Sequence, residues 1–202
     1  MSEYKSYTER ILTPTPTILG LRLMPYTLGH SIILKSANSK FITGGLRDCE
    51  NRELIAELVF ALLVCSTSYD DFKQEVYQDR FSSYLTEYVN RLTAEIAGSK
   101  EFNLFEKINA FASYLRNGTS TPLYYVTEDS NEIKNNPIEF EEAIVSTLMS
   151  ECNFTRDECL NLPLVETLSA FLLYAHKQGT VELISKDVWE LKERMKAGTH
   201  KI

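Results

Sequence analysis

One apolar run constrains the fold of this chain more than any other feature. It begins at Glu53 and ends at Cys65, and every residue from Leu58 onward is apolar. A buried strand could explain positions 58–65, but the run extends back through residues 54–56, and that length favours a helix. Because a helix that is apolar on all faces must be surrounded by other elements, we expect this helix to form the centre of the molecule.

Apolar residues recur at helical spacing through most of the remaining chain, without sustained strand alternation and without an internal repeat. We therefore predict a mainly α fold, a single-domain irregular bundle of about seven helices around the central helix. The predicted helices span residues 28–37, 69–97, 104–117, 137–152, 163–178 and 186–197, with a short helical turn after residue 155.

Several of these helices begin with residues that typically cap a helix N-terminus. A hydroxyl or amide side chain at this position accepts a hydrogen bond from a backbone N–H group that the helix itself leaves unpaired. The predicted caps are Thr27, Ser68 with Asp71, Thr155 with Glu158, Asn136 before Pro137, and Ser185.

The N-terminal residues 1–26 are predicted to form an extended arm. Alternating prolines at positions 13–17 favour extended backbone. Residues 18–23 could form a short strand or continue the arm across the surface.

A second break, residues 119–136, is predicted to be a polar linker or loop. Within it, residues 123–126 could form a short strand or a surface clip. This loop separates a helical first half, residues 27–118, from a helical second half, residues 137–198, in one compact domain.

Charge and hydropathy argue against nucleic-acid and membrane partners. The net charge is −7 and the isoelectric point is about 5.1, with no block of basic residues that could neutralise DNA phosphates. In the helical pair at residues 138–178, the helix after Pro163 offers only Lys177 and Gln178 for base recognition. The apolar run is too short to cross about 30 Å of hydrocarbon, and the N-terminus lacks a signal-peptide core, so we expect a cytoplasmic protein.

No catalytic motif is present in the sequence. The phosphate-binding loop, the dinucleotide-binding glycine turn, the serine elbow and the zinc-protease helix are all missing. For His30 and His176 we predict structural roles, and His200 lies in the tail. Paired carboxylates lie near helix starts or in loops, where capping and solubility explain them. The pairs are Asp70 with Asp71, Glu128 with Asp129, and Glu141 with Glu142.

The four cysteines are predicted to be buried free thiols in a reducing compartment. They are Cys49, Cys65, Cys152 and Cys159, and none forms the closely spaced pair that a metal site requires.

From the missing motifs and the spacing of the cysteines together, we predict no enzymatic activity and no catalytic, cofactor-binding or metal-binding residues.

The eleven tyrosines favour a protein-interaction role, because tyrosine combines apolar area with a polar group. Tyr84 and Tyr88 are predicted to face the core, whereas Tyr4, Tyr124 and Tyr125 fall in predicted loops or ends.

Three stretches of the sequence form a pattern together. They are LRLMPYTLGHSIILKSANSKFITGG, residues 21–45, ELIAELVFALLVCS, residues 53–66, and LNLPLVETLSAFLLYAHKQG, residues 160–179. Their order and spacing resemble small helical proteins encoded in the tail regions of bacteriophages and prophages, which are described as tail assembly chaperones. In such proteins a short helix ends near a glycine turn, an apolar helix follows, and a later helix begins with a Leu-Pro-Leu step. The long predicted helix from residue 69 and the loop at 119–136 have no counterpart in that pattern.

The resemblance implies a non-catalytic protein that binds a tape-measure-like client, the long aggregation-prone protein around which the tail tube polymerises. Such a binder needs an exposed apolar surface. A structural or adaptor protein that stays in the particle, a helical interaction module and a helical enzyme remain alternatives. The sequence leaves the partner, the binding surface and the oligomeric state open.

Overall fold

The mainly α fold that the sequence predicts is confirmed. A computed structural model describes residues 14–77, 80–98, 103–122, 124–126, 139–184 and 187–188. These residues contain nine α-helices, a short 3-10 helix at Leu46–Asp48 and two antiparallel pairs of strands. Within the same residues, no helix combines the length and the apolarity that crossing a membrane requires.

The nine helices correspond to six of the seven predicted ones, one of them divided in two, to the predicted turn after residue 155, and to one short helix that was not predicted. The helices are α1 Leu28–Ser36, α2 Lys40–Thr43, α3 Asn51–Ser66, α4 Tyr69–Tyr77, α5 Arg80–Gly98, α6 Leu104–Gly118, α7 Phe140–Cys152, α8 Arg156–Asn161 and α9 Leu164–Lys177. The strands are β1 Thr17–Ile18, β2 Leu21–Arg22, β3 Tyr124–Val126 and β4 Val181–Leu183.

Helix α3 is the central helix that the apolar run predicts. It packs against α1, α2, α5, α6 and β2. Burying one leucine side chain completely contributes about 1.5–3 kcal/mol, so this helix contributes strongly to the stability of the core. Its buried residues are Leu54, Ile55, Leu58, Val59, Ala61, Leu62, Val64 and Cys65.

Two separate apolar clusters explain why α3 is apolar on nearly all sides. Leu58 and Leu62 belong to the main core, which joins α3 to α1 and to α6 through α9. Ile55 and Val59 instead pack against Leu92 and the apolar face of α5. The helix therefore has to present apolar side chains in two directions.

The single helix predicted for residues 69–97 is wrong, because the structure has α4 and α5 instead; residues 78 and 79 lie outside the described part. Each helix packs on a different cluster, with Phe72 of α4 in the main core and Leu92 of α5 in the second. Tyr84 is 59% exposed, which corrects its predicted core position. Tyr88 is half-buried, and its hydroxyl donates a hydrogen bond to the Leu19 carbonyl oxygen at 2.8 Å.

Three of the five predicted helix caps are confirmed. Thr27, Ser68 and Thr155 each accept a hydrogen bond from a backbone N–H three residues ahead. The fourth is wrong, since the N-cap of α7 is Glu139. A tertiary contact holds this helix start, because Lys35 pairs with Glu139 at 3.1 Å and with Glu141 at 2.8 Å. Asn136, Pro137 and the fifth predicted cap, Ser185, lie outside the described residues.

The two segments for which the sequence allowed a strand have different outcomes. Residues 18–23 form neither a single strand nor a surface arm, because β1 and β2 make an antiparallel hairpin that turns at Leu19 and Gly20 and buries Ile18 and Leu23. The short strand that was possible within residues 123–126 is confirmed as β3, which pairs with β4 and brings Tyr124 opposite Leu183. Residues 1–13 and most of the last predicted helix, 186–197, lie outside the described part.

Candidate binding groove

An open apolar groove of about 340 Å³ lies between helix α6, the start of helix α9 and the segment that joins β2 to α1. Its volume falls near the lower end of the range, roughly 300–1,000 Å³, that is typical of ligand sites. The lining residues are Pro14, Thr15, Pro16, Pro25, Tyr26, Ala110, Ser113, Tyr114, Asn117, Gly118, Pro163, Val165 and Glu166.

Helix α6 supplies one wall of the groove. Its lining residues recur at helical spacing from Ala110 to Gly118, and most of them are small. The adjoining side of the helix carries Phe111 and Leu115 into the main core. Small side chains on the outer face leave the space that the groove occupies.

The segment Pro25-Tyr26 forms the floor and is fixed by backbone hydrogen bonds on both sides. The N–H group of Met24 donates to the Cys65 carbonyl oxygen of α3 at 2.8 Å. The N–H group of Leu164 donates to the Tyr26 carbonyl oxygen at 2.7 Å. Because Pro163 has no N–H group, the first residue of α9 makes this contact instead.

Tyr26 is buried between α6 and α1. Its Cβ atom lies so close to Gly118 that a methyl group there would come within 2.5 Å of it. Its ring meets that of Tyr114 edge to face, with centroids 5.9 Å apart, and stacks on His30 at 6.2 Å. Glycine at position 118 is therefore required for the approach of the floor to α6.

The two buried tyrosines differ in how their hydroxyl groups are satisfied. Tyr114 donates to the Met24 carbonyl oxygen at 2.9 Å. The hydroxyl of Tyr26 has no hydrogen-bond partner among the described residues. Burial raises the pKa of both phenols, and the nearby Ser31 side chain opposes this rise at Tyr26. Both side chains are therefore neutral at physiological pH.

His30 lies behind the floor and is completely buried. Its Nδ1 atom accepts a hydrogen bond from the Thr27 N–H at 3.2 Å, and its Nε2 atom lies 2.8 Å from the Thr67 carbonyl oxygen. Burial lowers the pKa of His30, and the hydrogen bond to the Thr67 carbonyl opposes part of that effect. These contacts use both ring nitrogens and tie the start of α1 to the end of α3.

The start of helix α9 gives the groove its charge. Glu166 is the one charged residue in the described lining, and it is half-buried. Within the described part of the chain, its carboxylate makes no hydrogen bond and no ion pair. Glu166 lies in the first turn of α9, where the helix dipole favours a negative charge. The side chain therefore stabilises the start of this helix.

Prolines form the remaining edge of the groove. The N–H group of Leu23 donates to the Pro16 carbonyl oxygen at 3.0 Å and so holds this segment beside the β1–β2 hairpin. Pro14 and Pro16 both line the groove. The walls therefore consist of proline, tyrosine and small side chains, a composition that suits binding of an apolar segment.

The residues that the sequence singled out for possible chemistry lie elsewhere. His176 is near the end of α9, with its Nδ1 atom 3.1 Å from the Val181 carbonyl oxygen. Four of the paired carboxylates lie in the first turns of helices, namely Asp70, Asp71, Glu141 and Glu142. His200, Glu128 and Asp129 are outside the described residues.

The four cysteines are free thiols, as predicted, but only two of them are buried. Cys65 and Cys159 are buried, whereas Cys49 and Cys152 are half-buried. Burial raises the pKa of the Cys65 thiol to about 12 and also raises that of Cys159. Among the described residues, no group of three histidine, cysteine or acidic side chains could hold a metal ion.

The sequence did not locate this groove. Its walls come from positions near 14, 25, 114, 118 and 165, which only the packing of α6 and α9 brings together. The available signals were the prolines flanking α1 and α9 and the small residues on one face of α6. None of them indicates which segments meet.

No protein-family model, no curated protein and no solved structure matches this chain.

Proposed function

We propose that this chain is a non-catalytic phage tail assembly chaperone, which binds a tape-measure-like client in the cytoplasm of a bacterial host. The observation that carries the proposal is the open groove between α6 and α9, whose apolar walls suit a protein segment. Its described lining offers no histidine, no cysteine and one carboxylate, which favours binding over chemistry.

The physical requirement of such a chaperone is modest affinity for apolar segments of a long client. A groove lined by proline, tyrosine and small residues buries apolar side chains without demanding one fixed sequence. Each client side chain that leaves water contributes roughly 25 cal/mol per Å² of buried apolar area. Several weak contacts along one client can then keep it from aggregating.

The contacts between the three stretches that resemble tail assembly chaperones also support the proposal. Tyr26 of the first stretch accepts a hydrogen bond from Leu164 of the third. Met24 of the first donates to Cys65 of the second. The three stretches thus form one packed unit, and two of them line the groove.

A structural or adaptor protein that stays in the particle is the second candidate. Phe140 on α7 is 60% exposed and packs edge to face on Phe171 of α9 at 6.3 Å. An exposed aromatic side chain of this kind suits a lasting protein contact. The fate of the protein separates the two functions, since stoichiometric presence in purified particles would contradict the chaperone function.

Co-expression with the long coiled-coil protein of the same tail module tests the proposal. We expect the client to be more soluble in the presence of the chain and to co-purify with it. The substitution Ala110→Arg places a large charged side chain in the groove and should abolish both effects. Asn109→Arg, at an exposed position next to it but outside the lining, should leave both unchanged. Client solubility that does not depend on the chain would refute the function.

A further inference from the structure

We propose that the groove selects an extended client segment in which an arginine pairs with Glu166 while neighbouring proline or aliphatic residues fill the space beside Tyr114 and Pro25. This inference rests on the proposed function, because it names the chemistry of the segment that the same groove would bind.

The charge of the occupant follows from the lining. Glu166 is its one charged residue in the described part of the chain, and no described basic side chain neutralises it. The chain as a whole carries a net charge of −7, which disfavours acidic segments near any part of its surface. A basic side chain on the bound segment would therefore complement the negative charge of Glu166.

Arginine fits this position better than lysine. Its planar guanidinium group can bond both oxygens of a carboxylate at once and can stack on flat side chains. Pro163 and Val165 line the groove together with Glu166 and offer apolar surface to the arginine stem. A lysine would provide the charge without the second hydrogen bond.

The backbone of the occupant follows from the composition of the groove. Tyr26 and Tyr114 line it together with Pro14, Pro16, Pro25 and Pro163. Grooves lined by aromatic side chains favour extended, proline-containing peptides.

Polar groups along the wall suit an extended backbone. Ser113 and Asn117 are exposed members of the lining and present a hydroxyl and an amide group to the groove. An extended peptide leaves its own N–H and C=O groups unpaired, whereas a helix satisfies them internally. Ser113 and Asn117 can therefore pair with an extended peptide but gain little from a helical one.

Fluorescence anisotropy with the full chain and three labelled nonapeptides tests the inference. The peptides alternate proline and leucine and differ only at the central residue, which is arginine, lysine or the uncharged citrulline. We expect the arginine peptide to bind about fivefold more tightly than the citrulline peptide, with lysine between them. Raising the salt concentration should reduce this ratio.

The decisive variant is Glu166→Gln, which removes the charge and keeps the shape of the side chain. It should bring the arginine-to-citrulline ratio close to one. Glu142→Gln, at an exposed position outside the lining, makes the same change in net charge and should keep the ratio. An unchanged ratio in Glu166→Gln, or no binding of any peptide, would overturn the inference.

The outcomes for the inference and for the proposed function are distinguishable. If no peptide binds but Ala110→Arg still releases the client, the inference fails while the chaperone function stands. If the arginine peptide binds in a Glu166-dependent manner but the client never co-purifies, the peptide chemistry stands while the chaperone function fails.

Discussion

The Nε2 atom of His30 lies 2.8 Å from the backbone carbonyl oxygen of Thr67 and joins the first turn of α1 to the residue that ends α3. The other ring nitrogen accepts a hydrogen bond from the Thr27 N–H. Only the neutral imidazole with its proton on Nε2 can make both bonds. Protonation of Nδ1 would leave the Thr27 N–H facing another donor inside the core.

This arrangement predicts that the protein loses stability in mild acid. Because burial lowers the pKa of His30 in the folded state, the unfolded chain binds a proton first as the pH falls. The free energy of unfolding should be nearly constant between about pH 7 and about pH 8 and should fall below about pH 6.5, by up to about 1.4 kcal/mol per pH unit. Urea denaturation between about pH 5.5 and pH 8 measures it.

The variant His30→Gln provides the control, since it cannot titrate. It should be less stable than the wild type at about pH 8 but should lack most of the pH dependence. Glu158, whose pKa is lowered by hydrogen bonds from Thr155, loses its contribution only below about pH 4.3 and so does not interfere. An equal slope in both proteins would show that His30 is not responsible.

Replacing a buried tyrosine by phenylalanine should change the free energy of unfolding differently at positions 114 and 26. Tyr114→Phe removes the hydrogen bond to the Met24 carbonyl and should lower the free energy of unfolding by about 1–2 kcal/mol. Tyr26→Phe removes a buried hydroxyl that has no partner among the described residues, so its stability should equal or exceed that of the wild type. Chemical denaturation of the two variants side by side measures the difference, and equal losses would contradict it.

Two glutamates four residues apart on α3 should contribute unequally. Glu57 accepts hydrogen bonds from the Ser39 hydroxyl at 2.5 Å and from the Lys40 N–H at 2.8 Å, and so holds the start of α2. Glu57→Ala should therefore cost about 1–3 kcal/mol. Glu53 is 60% exposed and lies 3.6 Å from the Lys40 ammonium group, so Glu53→Ala should change stability by less than about 0.5 kcal/mol. Thermal or urea unfolding of both variants checks the ranking.

Gly29→Ala should destabilise the protein although alanine ordinarily favours a helix by about 0.5–1 kcal/mol. A Cβ atom at this position would lie 2.4 Å from the Tyr69 ring and 2.8 Å from the Leu160 carbonyl oxygen. Because the latter is backbone, α1 and α8 would have to separate, and we expect a loss of about 1–3 kcal/mol. Asn90→Ala on the exposed face of α5 is the control, and it should be neutral or slightly stabilising.

Features that depend on neighbouring residues were predicted well. The central helix follows from an unbroken apolar run, and three helix caps follow from side chains that bond to the backbone three residues ahead. Such signals are local, because the residues that make each contact are close in sequence. They determine where most of the helices lie.

Features that depend on distant partners were not predicted. The α7 start is held by Lys35, more than a hundred residues away in sequence. Residues 69–97 contain two helices that pack on different apolar clusters. The helical spacing of their apolar residues does not indicate that two clusters are involved. The exposure of Tyr84 was not predicted either, because helical spacing allows this residue to lie on the buried or on the exposed face of α5.

For the candidate site, the sequence by itself determined which residue types are available. They are prolines, tyrosines, small residues on one face of α6 and a glutamate in the first turn of α9. Only the tertiary structure decided that they surround one space. The Tyr26 carbonyl had to meet the Leu164 N–H, and Gly118 had to admit the Tyr26 side chain. These contacts form when the segments pack around α3, and no local pattern encodes which segments will meet.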